Sequence, residues 1–169
     1  VSINLSAVQL RDPSLLSKLE TTLKARRTQS RMIELELTES LLMENVDSNI
    51  ALFHALKALG IVLSIDDFGT GYSSLSYLNR FPIDKLKIDQ SFVRDMLDDT
   101  NDLAITRAII GLGHTLGLKV VAEGVEHIEE KQMLAAAGCD ELQGYLFSRP
   151  LPEDEFARWI KANAALAGD

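Results

Sequence analysis

The sequence predicts an α/β fold of the TIM-like (β/α) barrel type, incomplete in this chain, with about six of the eight strands a full barrel requires. Three observations predict it. Short aliphatic or β-branched runs alternate with longer helical patterns from end to end. Within those runs, polar and aliphatic side chains alternate with period two, and the polar ones gather at the carboxyl ends. Helical crossovers between successive strands force a parallel sheet.

The elements follow in order. "VSINLS" (1–6) reads as a strand, and Pro13 sits at the first turn of the helix "PSLLSKLETTLKARR". "RMIELEL" (31–37) is the second strand, followed by a helix from Asn45 that Gly60 stops. "IVLSID" (61–66) and "DKLKID" (84–89) are the third and fourth strands. A helix from Asn101 to Gly117 leads to "LKVVAE" (118–123), and one from Ile128 to Gly138 leads to "DELQGYL" (140–146). Pro152 precedes a last helix from Glu153, on which Phe156, Trp159 and Ile160 share a face expected to pack on the core. Tyr72, Tyr77 and Leu78 are expected beneath the loop "DFGTGYSS". The acidic run "DMLDDTND" (95–102) reads as a solvated connection with a helix cap at its end, and "AALAGD" (164–169) as a fraying tail.

The chain has 169 residues, 46% hydrophobic and 25% charged, which suits one soluble globular domain. Its formal charge of −8 argues against general affinity for nucleic acid polymers or anionic membranes. No run is apolar enough to span a bilayer and none reads as a signal peptide. Cys139 has no internal disulfide partner, which fits a reducing cytoplasm. His54, His114 and His127 lack metal-ligand spacing and read as structural or solvent-facing.

The parity of side chains carries the chemistry. Ser2, Asn4 and Ser6 share one face, as do Glu34, Glu36 and Thr38, Ser64 and Asp66, Lys85, Lys87 and Asp89, Val121 and Glu123, and Glu141, Gln143 and Tyr145. The other face is aliphatic: Ile3 and Leu5, Leu35 and Leu37, Leu63 and Ile65, Leu86 and Ile88, Val120 and Ala122. In a barrel the aliphatic face meets the helices and the polar face points inward, where charge must be paired or ligated. The strand ends collect Asn4, Glu36, Asp66, Asp67, Lys87, Asp89, Glu123 and Gln143, hard oxygen donors without Cys or His. Such a set suits magnesium or manganese rather than zinc or copper. Adjacent Asp66 and Asp67 can flank two cations whose charge removes their repulsion. Lys87 could orient a nucleophilic water, balance the carboxylates as an ion-pair partner, or act as a Schiff-base or proton-abstracting lysine as in a metal-dependent lyase.

Six motifs in order, "NLS" (4–6), "ELTES" (36–40), "DDFGTGYSSL" (66–75), "KID" (87–89), "EGVE" (123–126) and "QGYLFSRPLP" (143–152), resemble the EAL domain of bacterial cyclic di-GMP phosphodiesterases over essentially the whole chain. The resemblance implies hydrolysis of cyclic di-GMP to linear pGpG in second-messenger signalling, with two magnesium or manganese ions. Asn4, Glu36, Asp66 and Asp67 match metal ligands, and Glu123 the shell of metal and water. Lys87 matches the lysine that holds the catalytic water, with Asp89 nearby, and Gln143 a polar residue of the same site and pocket. Glu39 matches the glutamate that anchors the loop "DFGTGYSS", a loop associated with dimerisation, and Glu126 an acidic position lining the substrate pocket. The resemblance further implies a homodimer, a sensor or GGDEF domain upstream in a cytoplasmic parent protein that can be membrane-anchored, and no membrane contact by this segment. The Glu-Ala-Leu tripeptide that names the family does not occur here. The expectation is therefore a domain over 1–169, truncated at its amino end and lacking one metal ligand. The alternative is an inactive domain that serves as a cyclic di-GMP receptor or protein-interaction module.

Overall fold

The computed structural model describes residues 1–71 and 78–163. The expectations for Tyr72, Tyr77 and the tail 164–169 fall outside the described residues. Six strands, β1 (Ser2–Asn4), β2 (Glu34–Thr38), β3 (Val62–Phe68), β4 (Lys85–Ile88), β5 (Lys119–Ala122) and β6 (Glu141–Leu142), lie side by side in that order. Every neighbouring pair is parallel. The sheet is a half-barrel, open at β1 and β6 among the described residues. Helices Leu15–Arg26, Val46–Ala58, Thr100–Thr115 and Ile128–Ala136 make the crossovers.

The aliphatic parity packs outward as expected. Leu35, Leu37, Leu63, Ile65, Leu86, Ile88, Val120 and Ala122 are all buried, beneath helix residues such as Phe53, Leu56, Ile110 and Leu134. Each of the Leu, Ile, Val and Phe side chains among them stabilises the fold by about 1.5–3 kcal/mol. Acidic residues just before β4 and β6 tie the starts of the preceding strands. Asp84 accepts from the Leu63 amide at 2.9 Å and pairs with Lys57 at 2.6 Å. Asp140 accepts from the Val120 amide at 2.8 Å and lies 3.0 Å from His114 Nε2.

Several boundaries differ from the sequence-based expectation for local reasons. β1 stops at Asn4 because Ser6 caps the short helix Ala7–Leu10: its Oγ accepts from the Gln9 amide while the Gln9 side chain accepts from the Ser6 amide. Ile3 is 45% exposed rather than packed, since β1 is a three-residue edge strand. β6 is only two residues long. An unforeseen helix, Gln90–Asp95, starts directly after β4 because Asp89 caps it by accepting from the Ser91 amide at 2.9 Å. The run 95–102 is thus not wholly a solvated connection: Asp95 ends that helix and Met96 is buried, while Asp99 caps Thr100–Thr115 through the Asn101 amide at 2.7 Å. The stripe of the last helix, Glu153–Asn163, does not pack on the core. Phe156, Trp159 and Ile160 are 50%, 36% and 46% exposed, and the two rings stack with centroids 6.5 Å apart. β6, too short and at the sheet edge, offers them no strand face to cover. None of the described helices is long and apolar enough to cross a membrane.

Gly113 faces β5 so closely that a Cβ there would lie 2.3 Å from Val120 Cγ2. Val120 is fully buried and β-branched, so it has little room to yield. Gly113→Ala is expected to lower unfolding free energy by about 1–3 kcal/mol in urea titrations despite alanine's better helix propensity. Unchanged stability would show that the helix can back away from β5.

Candidate functional site

The site is built on an irregularity in β3. Ile65 pairs with Leu86 and Phe68 with Ile88, so three steps along β3 match two along β4. The extra residue is a β-bulge, with Asp67 left-handed at φ 53°. That conformation costs about 1–2 kcal/mol for most residues, and a short Asp side chain tolerates it best after Gly and Asn. The bulge keeps Ile65 and Phe68 in the core while both carboxylates between them stay on the site side. Carboxylate oxygens of Asp66, Asp67 and Glu123 lie within 4.8 Å of one another.

Lys87, on β4, is the hub. Its Nζ lies 2.6 Å from Glu36 Oε1 on β2, 2.6 Å from Glu123 Oε1 just past β5, and 3.0 Å from Asp66 Oδ1 on β3. Its side chain is only 5% exposed. Burial alone would depress the ammonium pKa, but the hydrogen bonds to Glu123 and Glu36 and the contact with Asp66 outweigh it and raise the pKa above that of a free lysine. Lys87 is therefore a fixed cation at neutral pH. Burial raises the pKa of Glu123, and Lys87 opposes that shift. Burial also raises Asp67, reinforced by the charges of Asp66 and Asp89.

One ammonium faces the carboxylates of Glu36, Asp66, Asp67 and Glu123, so negative charge is left over. Asp66 Oδ1 is buried and, although close to Lys87, is not aligned for a hydrogen bond. Surplus charge, an incompletely satisfied oxygen and an all-oxygen donor set fit a hard divalent cation. Asp66, Asp67 and Glu123 are the residues placed to hold it, and among the described residues no histidine or cysteine joins them.

The other expected residues fall around this centre. Asn4 stands in register beside Glu36 at the exposed sheet edge. Asp89 lies against Asp67 and caps the following helix. Gln143, Glu126 and Glu123 line a cleft of about 240 Å³ with Gln90 and Tyr145. The Glu126 amide donates to the buried Glu130 carboxylate at 2.7 Å. Glu39 is buried beneath the glycine loop, where Oε2 accepts from the Gly69 amide at 3.1 Å and Oε1 would lie 2.8 Å from a Cβ at position 71. Part of that loop, residues 72–77, lies outside the described residues. Gly144 allows the chain after β6 to press on the loop after β5, because a Cβ there would sit 2.1 Å from the Val125 carbonyl oxygen. Strand-end reasoning missed Glu130, whose signal is its place three residues after His127, as in a capping box. It also passed over Lys85, Glu34 and Glu141, whose signal was the same parity one step lower.

A family model described as the EAL domain matches residues 1–150. Cyclic di-GMP phosphodiesterase NbdA of Pseudomonas aeruginosa is 46% identical over 168 residues, covering 98% of this chain and 22% of its own. The solved c-di-GMP complex of the MucR phosphodiesterase is similar at TM-score 0.88 and 42% identity, over 92% of this chain and 63% of that one. Klebsiella pneumoniae BlrP1, solved as a manganese and cyclic di-GMP complex, is similar at TM-score 0.80 and 38% identity, over 88% of this chain and 38% of that one. The chain spans about a fifth of the length of the curated relatives it matches.

Lys87→Met removes the only ammonium from this cluster and leaves buried carboxylates unbalanced, a change that costs about 3–5 kcal/mol in comparable pairs. Those carboxylates then take up protons more readily in the folded variant than in the unfolded chain, so the variant regains stability as pH falls. In the presence of chelator, the loss of Tm is expected to be large at about pH 7.5 and smaller at about pH 5. An equal loss at both values would show that the lysine is not balancing charge.

Proposed function

The chain belongs to the EAL domain family, and on that premise we propose that it acts as a metal-dependent phosphodiesterase that hydrolyses cyclic di-GMP to linear pGpG. The observation that carries this reading is the buried Lys87 ammonium shared by Glu36, Asp66 and Glu123 directly beside the Asp66, Asp67 and Glu123 oxygens. The donor set favours magnesium or manganese, and two ions are the reading for adjacent carboxylates that converge. Asn4, Glu36, Asp66, Asp67 and Glu123 would hold them. Bound there, they would supply a water acidic enough to attack at neutral pH and positive charge for the phosphoryl oxygens.

The protein's own groups do the rest. Lys87, whose pKa its carboxylate neighbours raise, donates a hydrogen bond to the attacking water, and the same acidic neighbours disfavour the lyase and Schiff-base readings. Water adds to one phosphorus as one P–O bond of the ring breaks, and the water's proton, taken up by a carboxylate of the cluster, is passed on to the departing oxygen. Asp89 steadies Asp67. Gln143 and Glu126 line the substrate cleft, and Glu39 holds the loop over the site through the Gly69 amide. The domain works in the cytoplasm as a homodimer within a parent protein that carries sensor or GGDEF domains.

Manganese at a hundredfold excess over Kd is expected to stabilise the fold by about 2.7 kcal/mol and so to raise Tm. The cation must displace protons from Glu123 and Asp67, whose pKa values are raised, so the increment shrinks as pH falls toward 5. Asp67→Asn should remove most of the increment at any pH.

The deciding experiment incubates the purified chain with cyclic di-GMP and manganese and separates products by chromatography. Formation of pGpG that is lost in Lys87→Met, folded by circular dichroism in manganese, supports the phosphodiesterase. Saturable binding without product from a folded chain would overturn it for this chain and favour the receptor reading.

A further inference from the structure

Two residues before Lys87 on β4, Lys85 projects to the same side of the sheet and forms a second charge cluster one layer below the site. Its Nζ lies 2.7 Å from Glu141 Oε2 on β6 and 3.1 Å from Glu34 Oε2 on β2. Burial lowers the Lys85 pKa, but the hydrogen bonds to Glu141 and Glu34 outweigh this and raise it. Lys119 stands farther off, 3.6 Å from Glu141 Oε1, and is largely exposed. Lys85, Glu34 and Glu141 join β2, β4 and β6, and Lys119 of β5 stands at the exposed margin of the group. Interior layers built from alternate strands are how β/α barrels fill their centres.

β6 needs such a tie. Among the described residues it is a two-residue strand at the edge of the sheet, with two register pairs, Val121 with Glu141 and Ala122 with Leu142. Gln143 follows at once: its amide donates to the Ala122 carbonyl at 2.9 Å and its carbonyl accepts from the Val125 amide at 3.0 Å. Its side chain lines the cleft beside Glu123. Among the described residues, Glu141 links β6 to two strands inside the sheet, closely to Lys85 on β4 at 2.7 Å and more loosely to the exposed Lys119 on β5 at 3.6 Å. We propose that Lys85 and Glu141 are positioning residues: their ion pair sets where β6 lies and, through the two backbone hydrogen bonds of Gln143, where that side chain stands over the site. The catalytic consequence rests on the phosphodiesterase reading; the geometric claim does not.

Glu141→Gln tests this gently, because Lys85 keeps its pair with Glu34 and the backbone is untouched. Hydrogen exchange of the ligand-free chain should show the amides of Gln143 and Val125 exchanging about tenfold faster, with the amides between β2 and β3 unchanged. In cyclic di-GMP turnover with manganese, Glu141→Gln should lower kcat/KM about three- to tenfold, and should have no further effect in a Gln143→Ala background. Lys85→Met, which also frees Glu34 on β2, should show the same faster exchange at Gln143 and Val125, and Lys85→Arg, which reaches both carboxylates, should restore ordinary values. Unchanged exchange at Gln143 and Val125, or losses from Glu141→Gln and Gln143→Ala that multiply independently, would overturn the proposal. If the unaltered chain forms no pGpG, the phosphodiesterase reading has failed, and the exchange result alone decides whether Lys85 and Glu141 place β6.

Discussion

One ammonium held by three carboxylates, two on β2 and β3 and one just past β5, is the constraint around which this half-barrel is arranged. Lys87 engages Glu36, Asp66 and Glu123 only if β2, β3, β4 and β5 keep their present register. A slip of one residue in any of them would send a charge into the aliphatic layer under the helices. Buried ion pairs contribute little stability compared with apolar residues of the same size. The outer layer of Leu35, Leu37, Leu63, Ile65, Leu86, Ile88 and Val120 supplies the favourable burial that offsets this charged interior. Stability and chemistry are thus assigned to opposite faces of the same strands.

The charged interior is also layered. The lower cluster of Lys85, Glu34 and Glu141 is close to balanced once Lys119 is included, whereas the upper one carries surplus negative charge at the carboxyl ends. The upper layer opens onto a cleft lined by Glu123, Glu126 and Gln143. The loop residues Gly69 and Gly71 lie against buried Glu39, so the rim of the site is tied to the segment that follows β2.

Much of this was legible in the residues. Period-two alternation located all six strands and told the inward face from the outward one, because a buried charge and a buried leucine demand different surroundings. The strand ends named the members of the Lys87 cluster. Less legible was whatever depends on local backbone chemistry. Ser6 and Asp89 each had two competing uses, strand continuation or helix cap, and capping won. Ile3 and the stripe of Phe156, Trp159 and Ile160 look like core residues by pattern. Burial, however, depends on whether a neighbouring strand face exists to receive them, and a short or edge strand provides none. The left-handed conformation of Asp67 could not be read from a run that otherwise looks like a regular strand.

That last feature limits how the site could be transplanted. An engineer copying Asp66 and Asp67 onto a regular strand of an idealised barrel would place their side chains on opposite sides of the sheet, one toward the centre and one into the helix layer. The backbone defect has to be copied with the residues, and a partner strand one residue shorter over the same span must come with it. In this fold the arrangement of the carboxylates is encoded as much by a counting mismatch between two strands as by the identity of the side chains.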